Sequence, residues 1–284
     1  MGDLSLKDEF RRNGYVVIPQ LFSSSEVDEW REDIISLSGL TPESISDGDK
    51  SKQVMKWTKP SGPSIFPNFH DVIVHEGLLS KMREIFGEEL KYLHHNDLHA
   101  GYGAHGWHRD NVFRGKSSSD RMGLDFDESS ETYSVARVAI YLQTFEESGF
   151  KFGLVPQSHR KSPILLRLES SRIIDSIKNR LKIQDYFFTK THWVKTTPGD
   201  VVIFDTRLLH RGGYTNGPKY SFYLGYGVQN SHFNRHWTYF SEFREDLNYQ
   251  PPSGELIQLL KEKRLWPSNE IDDGGGFDGA FINK

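Results

Sequence analysis

The stretch TPGDVVIFDTRLLHRGG (residues 197–213) is the part of this chain that decides its fold class. It opens with a Pro-Gly turn signal, continues into the apolar run VVIFD, and places His210 just beyond the end of that run. Val, Ile and Phe favour strands, and a Pro-Gly pair marks the turn before one. The stretch therefore predicts a β-strand followed closely by a histidine.

Similar short runs occur on both sides of this strand. Each is rich in β-branched and aromatic residues and is bounded by Gly, Pro or Ser, and the runs occupy residues 89–100, 134–145, 151–156, 191–196 and 219–229. A series of such strands is typical of a sandwich, jelly roll or barrel. Two insertions interrupt the series: residues 114–133 are polar and loop-like, and residues 162–186 are partly helical in pattern.

The residues before this series predict mainly helices. Ser5 and Asp8 have the spacing of a capping box before a short helix, and Ser25 and Asp28 repeat it before a longer one. Residues 40–70 are polar and rich in Pro and Gly, so they are predicted to be mostly loop.

The whole chain is interpreted as a single domain, residues 1–284. Its parts are a helical region over about residues 1–90, a β core over about 91–230, and a C-terminal helix with a flexible tail over 231–284. The predicted fold class is mainly β with flanking α-helices.

Composition excludes several classes of protein. The 284 residues contain no cysteine, which excludes disulfides, thiolate catalysis and cysteine-ligated metal sites. A formal net charge of -4 provides no basic field for nucleic acid, and a hydrophobic content of 36% does not indicate a membrane protein. The first ten residues lack a signal-peptide core. We expect a cytoplasmic protein with a small molecule as its partner. The oligomeric state stays open, with a monomer favoured over an oligomer.

A histidine and a carboxylate lie two positions apart in GWHRD, where they are His108 and Asp110. In an extended segment, positions i and i+2 point to the same side, so both side chains can reach one ion. Taken alone, the pair favours a structural hydrogen bond over a metal site. His210 follows at the end of the strand described above and completes two histidines and one carboxylate, the ligand set of non-haem iron(II) oxygenases.

A buried-strand pattern after His210 carries a lysine and a serine on one side. Lys219 opens the run KYSFYLGYG, and Ser221 follows at i+2. A cation beside a hydroxyl predicts a seat for a carboxylate cosubstrate. Arg137 lies within the otherwise apolar run SVARVAIYL, with Tyr141 on its face, and these side chains face either solvent or the pocket. In the pocket they would bind the near carboxylate of that cosubstrate, or the substrate.

With these motifs in place, the chain resembles the phytanoyl-CoA dioxygenase family. The resemblance rests on FRRNGYVVIPQLFSSSEVDEWREDI, WHRD, FGLVPQSHR, TPGDVVIFDTRLLHRGG and NGPKYSFYLGYG. It implies a double-stranded β-helix (jelly-roll, cupin-like) core, iron(II), and oxidation of a C–H bond by O2 coupled to decarboxylation of 2-oxoglutarate to succinate and CO2. Ascorbate is the reductant expected in vitro. Two departures are Lys219, where the family has Arg, and Gln157, where it has Gly.

The resemblance implies an iron(II)- and 2-oxoglutarate-dependent dioxygenase acting on a small organic metabolite. Hydroxylation, desaturation and oxidative cyclisation all stay open, while Asp110 disfavours halogenation, which needs a small residue there. One alternative is a cupin-like protein that binds a metal or ligand without turnover. Another is a lyase or isomerase that uses zinc or manganese on the same barrel.

Overall fold

The computed structural model of the chain describes residues 4–44, 47–103, 106–112, 124–169, 171–181, 183, 185, 190–243 and 248–268. The strands are β1 (Tyr15–Ile18), β2 (Met55–Pro60), β3 (Leu90–Gly101), β4 (Val135–Tyr141), β5 (Phe152–Leu154), β6 (His192–Val194), β7 (Val201–Asp205), β8 (His210–Gly212) and β9 (Lys219–Val228). The helices are α1 (Leu6–Asn13), α2 (Ser24–Ser38), α3 (Asp47–Lys52), α4 (Gly62–Ile65), α5 (His70–Ile73), α6 (Glu76–Phe86), α7 (Phe145–Ser148), α8 (Pro163–Glu169), α9 (Arg172–Arg180), α10 (Ser231–Thr238) and α11 (Gly254–Glu262). Single 3-10 turns cover Pro42–Ser44 and Pro67–Phe69, and a π turn covers Tyr239–Phe243.

The strands form two antiparallel sheets. The larger sheet has the order β1-β7-β4-β9-β3-β2, and the smaller has the order β6-β5-β8. An isolated antiparallel bridge between His108 and His210 extends the smaller sheet by one further segment. This is the predicted mainly β fold with flanking helices, built on a jelly-roll core of the cupin type.

Side chains alternate along β9, which explains why one face of the larger sheet is apolar and the other carries polar side chains. Tyr220, Phe222 and Leu224 lie in the main hydrophobic core, which α2 and α6 complete with residues such as Trp30 and Leu78. Because side chains alternate, Lys219, Ser221 and Tyr223 lie on the opposite face. The sheet therefore buries its outer face under helices and presents polar groups on its inner face.

The helix beginnings confirm one capping prediction and correct the other. Ser5 caps α1 by accepting a hydrogen bond from the Asp8 amide. The predicted box of Ser25 with Asp28 is wrong, because α2 begins at Ser24 and its cap is Ser23. Ser23 accepts from the Glu26 amide, and the longer Glu26 side chain reaches back to accept from the Ser23 amide at 2.8 Å.

Residues 40–70 are not mostly loop. Strand β2 pairs with β3 at the edge of the larger sheet, and the single-turn helices α4 and α5 begin soon after. The run MKWTKP alternates between half-buried and exposed positions, and few of its residues are apolar. The sequence therefore lacks the apolar pattern by which a buried strand is predicted.

The insertions are described in part. Residues 162–186 contain α8 and α9, as the helical pattern predicts. Of the loop-like insertion, residues 114–123 lie outside the described residues, as does most of the tail predicted to be flexible, 269–284. Every helix within the described ranges is too short or too polar to cross a membrane.

Candidate metal centre

A cavity of about 130 Å³ lies on the inner face of the larger sheet and brings the predicted residues together. Its walls include five of them: His108, Asp110, Arg137, His210 and Lys219. They come from β4, β8, β9 and the segment before residue 112, so strands far apart in sequence meet at one point. The two other predicted residues, Ser221 and Tyr141, are buried beside this cavity without lining it.

Backbone pairing positions the two histidines side by side. The His108 amide donates to the His210 carbonyl, and the His210 amide donates back, both at 3.0 Å. Directly paired residues project to the same side of a sheet, so the two rings lie 4.2 Å apart between centroids. Asp110 is held by its own amide, which donates to the Thr206 carbonyl at 2.8 Å.

The three side chains present a compact set of donor atoms. One nitrogen from each histidine and one oxygen of Asp110 lie within 4.8 Å of one another. His108 Nε2 is 3.6 Å from Asp110 Oδ1, and His210 Nε2 is 3.7 Å from Asp110 Oδ2. Each Nδ1 instead lies near a backbone carbonyl, that of Gly106 at 2.8 Å and that of Leu208 at 2.9 Å. With the proton thus assigned to Nδ1, each Nε2 lone pair faces the carboxylate.

Burial and neighbouring charges keep His210 and Asp110 in the state that binds a cation. Burial is the main cause that lowers the pKa of His210, to about 3, and the neighbouring His108 acts in the same direction. Burial acts to raise the pKa of Asp110, but His210 and Arg137 outweigh it, so this pKa lies below its ordinary value. At neutral pH His210 is therefore neutral and Asp110 is ionised, as metal ligation requires.

Lys219 lies at one end of the cavity as a buried cation. It is 1% exposed, its Nζ is 3.5 Å from the Tyr223 hydroxyl, and the Phe150 ring centroid is 4.8 Å away. No carboxylate of the described residues forms an ion pair with it. Gly103 leaves room for it, since a Cβ there would lie 2.3 Å from Lys219 Cε. The Ser221 hydroxyl is also buried, and it has no hydrogen-bond partner within the described part of the chain.

Arg137 faces the cavity and not solvent, which settles the two orientations left open by the sequence. Its Nη2 donates to Asp97 Oδ2 at 2.7 Å, and its Nη1 is 3.8 Å from Asp110 Oδ2. Tyr141 lies on the same face of β4, with its hydroxyl 3.2 Å from that of Tyr223. The tyrosine therefore supports the cavity wall from behind.

The sequence reasoning missed Asp97 and Tyr223, which also line the cavity. Tyr249 donates to Asp97 Oδ1 at 2.6 Å, and burial raises the pKa of Asp97. The available signal was alternation along β3, which puts Asp97 on the same side as His95 and His99. Both histidines line the cavity as well. His94, whose ring contacts Trp237 and Tyr249, is buried outside the cavity lining.

Comparisons with known proteins agree with this architecture. A model of the family described as phytanoyl-CoA dioxygenase (PhyH) matches residues 10–220. HygX from Streptomyces hygroscopicus, solved with nickel and 2-oxoglutarate bound, is 20% identical over 78% of this chain and 85% of that one, with a TM-score of 0.54. SnoK, a non-heme alpha ketoglutarate dependent carbocyclase from nogalamycin biosynthesis, is 16% identical over 80% and 87%, with a TM-score of 0.53.

EctD from S. alaskensis, solved with bound Fe, is 19% identical over 78% of this chain and 75% of that one, with a TM-score of 0.52. At such identities the solved structures establish a shared fold. A search of curated proteins finds no match.

Proposed function

The chain belongs to the phytanoyl-CoA dioxygenase family, and from this we propose that it oxidises a C–H bond of a small organic metabolite. It is an iron(II)- and 2-oxoglutarate-dependent dioxygenase, with O2 as the second cosubstrate. We further propose which residues bind the iron and the cosubstrate, which class of substrate enters the cavity and which types of oxidation follow.

In this proposal, His108, Asp110 and His210 hold the iron. Two imidazole nitrogens and one carboxylate oxygen are the donors that non-haem iron(II) takes on one face, leaving positions for cosubstrate and gas. The fit is supported by the donor atoms within 4.8 Å of one another and by the two Nδ1 atoms near backbone carbonyls. That arrangement orients both Nε2 atoms before any metal arrives.

The observation that carries the assignment of the cosubstrate is the buried ammonium of Lys219. A charge that is 1% exposed, with no ion-pair partner among the described residues, is costly to bury. An anion that enters with its ligand offsets that cost. We assign Lys219 to the distal carboxylate of 2-oxoglutarate, with the buried Ser221 hydroxyl as a second donor on the same side of β9.

Arg137 and Tyr141 complete the assignment from β4, in which Tyr141 pairs with Ser221 of β9. Arg137 Nη1 is 3.8 Å from Asp110, so its charge acts where the near carboxylate of 2-oxoglutarate, or an anionic group of the substrate, would lie. Tyr141 acts through Tyr223, whose hydroxyl lies between it and Lys219. Its proposed role is to hold the hydroxyl of Tyr223 toward the cosubstrate.

When bound, iron and 2-oxoglutarate supply the oxidation, in which O2 takes two electrons from the substrate while 2-oxoglutarate becomes succinate and CO2. The residues of the chain position the reactants and exclude water. Phe152 provides an apolar surface beside His210 in a cavity that is otherwise lined mainly by histidines and charged residues. SnoK is a carbocyclase from nogalamycin biosynthesis, which supports a metabolite substrate here and leaves hydroxylation, desaturation and cyclisation open.

The test begins without air. Purified protein receives Fe(II) and 2-oxoglutarate, and the visible charge-transfer band of the chelate is recorded; ascorbate and air are then added, and succinate is quantified. We expect both signals in the wild-type protein and in His192→Ala, a histidine of β6 that does not line the cavity. His210→Ala should lose both.

Absence of the band and of succinate from the wild-type protein would favour the cupin-like binding protein. A band that survives in His210→Ala would show that the metal ligands are assigned wrongly, even if succinate forms.

A further inference from the structure

Helix α8, in the insertion after β5, packs against both segments that carry the candidate ligands. Its Leu165 shares a small buried cluster with Leu209, and Trp107 packs on the same cluster. Trp107 directly precedes His108, and Leu209 directly precedes His210. A helix within an insertion is thus in contact with the two points where the backbone must hold the metal ligands.

Arg109 connects this helix to the ligand segment by a buried ion pair. It lies between His108 and Asp110 and points away from the cavity, because alternate residues of an extended segment face opposite sides. Its Nε and Nη2 donate to the two oxygens of Glu169 at 3.0 and 2.6 Å. Both side chains are 1% exposed.

The same guanidinium also reaches the segment before the distal histidine. Its Nη1 donates to the carbonyls of Ser158, at 2.6 Å, and of Arg207. The Ser158 hydroxyl in turn accepts from the Leu209 amide at 2.8 Å. One side chain therefore joins the segment of His108 and Asp110 to the segment of His210, from the side opposite the cavity.

Stability alone does not account for this ion pair. Glu169 is the last residue of α8, where the helix dipole disfavours a negative charge. Removing two charges from water costs as much as their attraction returns in many buried pairs, and apolar residues of similar volume stabilise as well or better. What the pair contributes that apolar residues lack is a set of directional hydrogen bonds between the two ligand segments.

We propose that Arg109 and Glu169 are positioning residues that set the spacing of the metal ligands, with α8 as their support. The proposal rests on the proposed function, since it takes His108, Asp110 and His210 as the ligands. It assigns to the insertion at residues 162–186 a role in metal binding without contact with the metal.

The test compares affinity for Co(II) alone, from the absorption bands of the bound ion, with resistance to unfolding by urea. In the double variant Arg109→Met/Glu169→Met the charges are removed together, so no buried charge is left unpaired. We expect a modest loss of stability, from the carbonyls of Ser158 and Arg207 that lose a donor, and a folded protein. We expect the affinity for Co(II) to fall about 10- to 100-fold, the usual effect of losing groups that orient metal ligands. Raising the Fe(II) concentration should restore succinate formation.

Arg31→Met is the matched control, because it removes one partner of another ion pair, with Glu147 at 2.9 Å, far from the candidate ligands in the sequence. It should leave the affinity for Co(II) unchanged. Glu169→Gln is measured in parallel; it keeps the size of the side chain and one hydrogen bond to Arg109, so the comparison stands if the double variant does not fold.

A folded double variant, or a folded Glu169→Gln, that binds Co(II) as tightly as the wild-type protein overturns the role of the pair. Failure of the wild-type protein to bind Co(II), or equal binding by His210→Ala, contradicts the proposed function instead. The two failures are therefore distinguishable.

Discussion

Burial of the Lys219 ammonium should lower the stability of the protein without cosubstrate, while its proposed role is to bind 2-oxoglutarate. A single substitution separates these two effects. In Lys219→Met the uncompensated charge is gone, so the protein without cosubstrate should unfold at a higher temperature. The same change would remove the proposed charge-assisted hydrogen bond to 2-oxoglutarate, at a cost of about 2–5 kcal/mol, so the KM for 2-oxoglutarate should rise at least about 30-fold. Thermal unfolding and succinate kinetics measure the two quantities.

Lys219→Arg is the control, because it keeps the charge and differs in shape. We expect a smaller rise in KM than for Lys219→Met, limited by the close approach of Gly103 to Lys219. An unchanged KM in Lys219→Met would remove Lys219 from the cosubstrate site.

Gln157 has a backbone conformation that suits glycine. Its φ is +65°, in the left-handed region, and it occupies the position where the resembled family has Gly. Its amide donates to the Asn13 carbonyl at 2.9 Å, a bond that glycine would keep. We expect Gln157→Gly to raise the free energy of unfolding by about 0.5–1 kcal/mol in urea denaturation.

Gln53 provides the matched contrast, since its φ is +54°. Its side chain accepts from the Thr215 amide at 2.7 Å and donates to the Thr215 carbonyl at 2.9 Å, so Gln53→Gly should destabilise despite the relief of strain. Effects of the same sign in both variants would contradict this account.

At the scale of elements, the beginning of α2 tests which serine caps it. Ser23→Ala removes the side chain that accepts from the Glu26 amide, and should cost about 1 kcal/mol of the free energy of unfolding. Ser25→Ala lies inside the helix and should cost a few tenths at most. Equal losses, measured by chemical denaturation, would restore the cap that the sequence pattern favours.

The errors at this scale have a common physical cause. Ser23 and Ser25 each have an acidic residue three positions later, so either could cap a helix. Which one does depends on where the chain leaves β1 and where the helix packs. Strand β2 was missed because an edge strand buries little, so its polar side chains carry no apolar period. Helices with an apolar face against the core, such as α6, were predictable because burial imposes their period.

At the scale of the whole molecule, stability should depend on pH through His94. Burial lowers the pKa of His94 to about 4, and its ring packs against those of Trp237 and Tyr249. Below pH 6.5 the unfolded chain takes up a proton that the folded protein refuses until about pH 4. The stability that this neutral ring provides is therefore complete above pH 6.5 and is lost as the pH falls, by roughly 3 kcal/mol at pH 4.

His94→Phe keeps an aromatic ring and cannot titrate, so its stability should fall less steeply than that of the wild-type protein between pH 6.5 and pH 4. Urea denaturation at steps of pH gives the difference between the two curves. Because other buried histidines, such as His236, act in the same direction in both proteins, only that difference tests His94. Parallel curves would contradict the assignment.

Local chemistry in the chain was sufficient for the fold class and for the candidate ligands. Strand patterns repeat, and His108 and Asp110 share one side of an extended segment by geometry alone. Their relation to His210, 102 positions later, follows from the resemblance and from the strand that ends beside it. The cation of Lys219 was likewise visible, because a charge within an apolar strand is itself a signal.

Long-range packing decided which way Arg137 faces and which partners the buried charges have, since it brings together residues that share no local pattern. The cavity-facing position of Arg137 depends on which face of β4 meets the smaller sheet. The contacts of Asp97 with Tyr249, and of Arg109 with Glu169, join positions 152 and 60 residues apart. Burial pairs such charges in three dimensions, and no spacing along the chain encodes which partner each one meets.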